Sequence, residues 1–153
     1  MIKKILLLGI GNPILTDDAI GILVAREIAK LNLPDVNVQE VAASGIEVME
    51  LMLDHEKVVI VDAIMLPDKN PGQIMQLEEK DFSHTVSGAS PHGINLSTAI
   101  ALGRQTAPER MPKEIVFFAM QAEDASTFGE IPTEEVGKKL PDLINTVIDE
   151  INK

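Results

Sequence analysis

The chain has 153 residues, no cysteine, and 24 acidic against 13 basic residues, for a net charge of −11. That excess of negative charge repels nucleic acid and anionic membrane surfaces. Without thiols there can be no disulfide, thiolate nucleophile or thiolate metal site, so any metal must be held by oxygen and imidazole.

The length suits one domain spanning residues 1–153, and its core must be aliphatic because four Phe are the only aromatic residues. The apolar run Ile5–Leu8 is expected to be the first, buried strand. It is cut at Asn12-Pro13 without a small-residue cleavage site, which argues against a signal peptide. No stretch reaches the ~20 apolar residues of a membrane span, so a cytoplasmic protein is expected. The turn from Gly9 leads into a helix with apolar positions Ile20, Leu23, Val24, Ile28 and Leu31, with Thr16 placed as its N-cap. Asp17 and Asp18 then fall in the first helical turn, where the dipole favours acids.

Val36–Val41 is expected as the second strand, and Ser44 to Glu47 has capping-box spacing for a second helix. Val58–Val61 is a β-branched run of the kind buried on both faces, with Asp62 ending the strand. After turn residues 67–72, Gln73–Leu77 returns as a strand. Residues 78–91 form a loop, and Ser90-Pro91 opens a helix through Ile94, Leu96, Ile100, Ala101 and Leu102. Glu114–Met120 is the last strand. A C-terminal helix runs from about Thr133 to Ile151, with Pro141 expected to kink or split it. Alternating strands and helices imply a three-layer, doubly wound α/β domain. Its sheet is five-stranded and mostly parallel, with helices on both faces.

In such a sheet, strands one and three are neighbours whose following helices pass to opposite faces, leaving a crevice at their carboxyl ends. Asp18, Asp62 and His92 can converge there, and two carboxylates with an imidazole suit a borderline divalent ion such as nickel or zinc. Three ligands would leave positions open for water or substrate. The other polar residues have plainer roles. Asp17 suits a helix start, Glu40 can line the crevice or face water, and His55 and Lys57 follow the second helix. His84 is the second choice for an imidazole ligand.

Gly9-Ile10-Gly11-Asn12, Thr16-Asp17-Asp18-Ala19-Ile20-Gly21, Val61-Asp62-Ala63 and Ser90-Pro91-His92 together resemble the maturation endopeptidases of [NiFe] hydrogenases. The resemblance covers nearly the whole chain. It implies a cytoplasmic protease that removes a short C-terminal peptide from the hydrogenase large-subunit precursor after nickel insertion. It also implies that nickel, carried by the substrate, is recognised through Asp18, Asp62 and His92, with zinc or cadmium as surrogates. A monomer is expected. The chain departs from many relatives over Glu40 to Gly45, where an Asp-Gly-Gly-Thr type of loop is common.

Three other functions share parts of this pattern. A nickel-binding chaperone would use the same three residues without turnover. A dinucleotide-binding module would need glycine where Ile14 stands, and positive potential where Asp17 and Asp18 lie. A peptidyl-tRNA hydrolase would share Gly9 to Pro13 but need a basic groove.

Overall fold

The computed structural model describes residues 4–42, 46–81 and 92–153, with backbone alone at 93–95. Strands β1 (Ile5–Ile10), β2 (Val36–Val41), β3 (Lys57–Ile64), β4 (Ile74–Glu78) and β5 (Glu114–Gln121) form one sheet in the order β2-β1-β3-β5-β4. β1, β2, β3 and β5 pair in parallel, and β4 closes the edge antiparallel to β5. The parallel strands are nearly continuous Leu, Ile, Val and Phe because both faces are covered.

Helices α1 (Ile20–Ala29) and α4 (Glu134–Ile151) cover one face, where Val24, Ile28, Leu143 and Val147 meet Leu7, Val59 and Phe118. Helices α2 (Ile46–Met52) and α3 (Gly93–Thr106) cover the other, where Met49, Met52, Leu96 and Ala99 meet Leu6, Leu8, Ile60 and Phe117. Methionine supplies adaptable bulk in this aromatic-poor core. At the far end of the sheet, Lys57 is tied to the buried Glu150 near the end of α4.

Two glycines set how closely α1 approaches the sheet. A Cβ on Gly21 would run into the carbonyl oxygens of Val61 and Ile10, and one on Gly9 into the carbonyl of Gly21. The start of α1 therefore lies directly against the ends of β1 and β3, carrying the residues just before it to the crevice.

Three local expectations change. Thr16 does not cap α1: it has φ 50° and opens a 3-10 turn over Thr16–Ala19, while its hydroxyl donates to the carbonyl of Thr127. The side chain is taken by a residue 111 positions away and so cannot serve its own helix. Asp62 does not end its strand, since β3 continues to Ile64. Pairing with β1 stops at Gly9–Val61, but pairing with β5 continues through Asp62–Ala119 to Ile64–Gln121. Pro141 does not split α4, which is assigned as one helix over Glu134–Ile151. Pro141 and Gly137, whose carbonyl the ring leaves without its donor, are both exposed, so water can replace the bond. Burial of Val136, Leu143, Val147 and Ile151 holds the two halves in line. Ser44, Gly45, His84, Ser90 and Pro91, and with them most of the expected 78–91 loop, lie outside the described residues.

Candidate functional site

Asp18, Asp62 and His92 come together at the carboxyl end of the sheet. Each offers one ligand atom, and these atoms all lie within 4.8 Å of one another. Three separate parts of the chain deliver them: the 3-10 turn before α1, the stretch of β3 that has outrun β1, and the N-cap position of α3. Asp18 is 2% exposed and Asp62 4%, while the His92 side chain retains 13%. The two carboxylates are thus buried, and the imidazole keeps a small exposed part.

The backbone aims the acids. The amide of Asn12 donates to Asp18 Oδ2 at 2.9 Å, and the amide of Ala63 donates to Asp62 Oδ1 at 2.8 Å. His92 Nε2 lies 3.3 Å from both Asp18 oxygens. A set of two carboxylates and one imidazole suits a borderline divalent cation, and three donors do not fill its coordination shell.

The hydrogen bond to Asp18 raises the His92 pKa above 6.5. Burial opposes the shift, and the charges of Asp62 and Asp18 add to it. In metal-free protein the His92 ring protons are expected to titrate, by NMR, with a midpoint above 6.5. Because the folded-state value is the higher one, the Asp18–His92 pair stabilises the fold fully below about 6.5 and loses that contribution as pH rises through the raised value. Cation binding requires the neutral ring, so affinity for a divalent ion improves across the same window. A midpoint at or below 6.5 would contradict the pairing.

Asp17 has a larger part than a helix start would give it. It is fully buried, and its carboxylate accepts hydrogen bonds from the amides of Glu123, Asp124 and Thr133 and from the Thr133 hydroxyl, at 2.7–3.1 Å. It thereby clamps both ends of the 123–133 loop. The loop is also zipped to the segment before Asp17 by a parallel bridge between Leu15 and Gly129, with the Gly129 amide donating to Ile14 and the Thr16 amide to Gly129. Within the loop, hydrogen bonds from Thr127 and Ser126 hold Asp124 down at about 2. The consecutive acids were visible in the sequence, but nothing near them marked Thr133 as a partner.

The other candidates lie elsewhere. Glu40 forms an exposed ion pair with Arg26. His55 Nε2 lies beside Asn37 at the opposite end of the sheet.

A protein-family model described as hydrogenase maturation protease matches residues 22–150, a range that includes Asp62 and His92 and begins just after Asp18. The chain is 29% identical over 136 residues to the hydrogenase 2 maturation protease of Escherichia coli strain K12, covering 86% of this chain and 82% of that one. The hydrogenase maturating endopeptidase HybD of E. coli superposes with a TM-score of 0.80 at 26% identity, over 97% of this chain and 92% of its own. The [NiFe] hydrogenase maturation protease HybD of Thermococcus kodakarensis shares the fold, with a TM-score of 0.75 at 21% identity over 98% and 99% of the two chains.

Proposed function

The chain belongs to the hydrogenase maturation protease family, and from that premise we infer that Asp18, Asp62 and His92 are where this endopeptidase meets nickel carried by its substrate. The substrate is the large-subunit precursor of a [NiFe] hydrogenase, from which a short C-terminal peptide is removed. The observation that supports this reading is the convergence of three ligand atoms within 4.8 Å of one another from distant parts of the chain.

Nickel held in the precursor presents itself to the three side chains, which fixes the register of the tail. When bound, the ion would supply Lewis acidity toward the scissile carbonyl or the attacking water. A carboxylate of the pair accepts the proton released as water oxygen attacks the carbonyl carbon. That proton then passes to the departing amine as the C–N bond breaks. No acyl-enzyme through a thiolate is available, since the chain has no cysteine. Zinc or cadmium would suit the same donors and serve as surrogates. Among the described residues, no helix is long and apolar enough to cross a membrane. The reaction is assigned to the cytoplasm and to a single-domain monomer.

The test incubates the protein with metal-free and nickel-loaded precursor and follows substrate mass. Loss of one defined C-terminal peptide from the loaded form alone is the expected result. Equal cleavage of both forms would remove nickel from the recognition step, and nickel binding without cleavage would leave a chaperone.

A further inference from the structure

Among the described residues, the large apolar side chains left exposed are Ile14, Leu31, Ile46, Met65, Phe128 and Ile131. All but Leu31 lie on segments that follow the carboxyl ends of parallel strands, around the Asp18–Asp62–His92 cluster. A monomer normally scatters such residues, so crowding at one end marks an interaction surface.

Phe128 and Ile131 are the extreme cases, 79% and 80% exposed. They sit on the 123–133 loop, which gains nothing for the core by displaying them, yet that loop is firmly built. Asp17 fastens its two ends, and the Leu15–Gly129 bridge fastens its middle. The bridge joins the backbone next to Ile14 to the backbone next to Phe128. The two joined segments, 11–19 and 122–133, expose Glu123 and Glu130, with Asp124 half-buried, and carry no Lys, Arg or His.

We propose that Ile14, Phe128 and Ile131 form the docking rim of the enzyme, taking an apolar segment of the large-subunit precursor flanked by basic residues. Asp17 is the strut that holds the rim in place. This assignment rests on the endopeptidase reading of the adjacent cluster. A metal buried in a protein substrate reaches that cluster only if the substrate covers the surface around it. Apolar side chains already presented on a fixed loop then bind without an ordering cost, and the acidic segments select a positively charged neighbour.

Phe128→Ser and Ile131→Ser, which leave the buried core untouched, test the rim against nickel-loaded precursor. Each is expected to raise KM about tenfold, as expected for one large apolar side chain no longer buried at an interface. The cleavage rate at saturating precursor should stay near that of the unaltered enzyme, and circular dichroism should be unchanged. Direct binding to precursor should weaken by the same factor. Unchanged KM and binding would overturn the proposal, as would a dimer of the unaltered enzyme that Phe128→Ser converts to monomer. The two assignments fail separately: His92→Ala lowers the saturated rate whatever it does to KM, whereas the rim variants change KM and leave the saturated rate.

Discussion

Replacing Asp18, Asp62 or His92 singly by alanine is expected to lower the rate of tail removal at least a hundredfold while leaving a folded protein. Changing residues that only support metal ligands commonly costs 10- to 100-fold, so loss of a ligand itself should cost more. The three positions should be nearly equivalent, because each supplies one of three atoms converging within 4.8 Å and their effects are those of a unit. His92→Ala is the most informative, since its side chain is partly open to solvent and its loss strands no large apolar surface. The measurement is precursor mass against time under single-turnover conditions, with the fold checked by urea unfolding. If His92→Ala cleaves at the unaltered rate, the imidazole is assigned wrongly and His84 becomes the residue to replace.

Asp17→Ala is expected to be the most destabilising change near the site. As a helix-start acid acting only through the dipole, Asp17 would contribute about 0.3–1 kcal/mol. It instead accepts three amides and a hydroxyl from Glu123, Asp124 and Thr133 while fully buried. Removing the carboxylate strands those donors, and at roughly 1–3 kcal/mol for each buried group left without a partner, partly repaid by water, the loss should be about 3–5 kcal/mol. Asp17→Asn, with its carbonyl oxygen in the Oδ2 position, keeps the bonds from the Glu123 and Asp124 amides and the Thr133 hydroxyl and sets its N–H₂ against the Thr133 amide alone, so it should recover part of the loss. Urea midpoints read the global effect, and amide hydrogen exchange over 123–133 shows whether the loop is released first. A loss below about 1 kcal/mol would return Asp17 to the dipole role.

The layers, the alternation of strand and helix and the adjacency of β1 and β3 could be read from local pattern, whereas the full order β2-β1-β3-β5-β4 could not. The β-branched and leucine-rich runs of β1, β3 and β5 and the apolar spacing of α1 are local patterns, and they dictate alternation of strand and helix. Alternation in turn dictates a parallel sheet with a crevice between β1 and β3. Asp18 and Asp62 were legible as candidates because they follow or end such runs, and His92 because Ser90-Pro91 marks a helix start beside it. That they meet is a matter of packing, since their approach depends on Gly9 and Gly21 letting α1 lie against the sheet and on α3 beginning beside the crevice. Packing also decided the points where local pattern misled. Thr16 bonds to residue 127, and Asp17 to residues more than 100 positions away. Asp62 stays in its strand because β5, rather than β1, is the partner there. Periodicity and capping rules describe what a residue does within a turn or two of itself. A buried side chain is committed by whichever donor the fold brings to it, however distant in the chain.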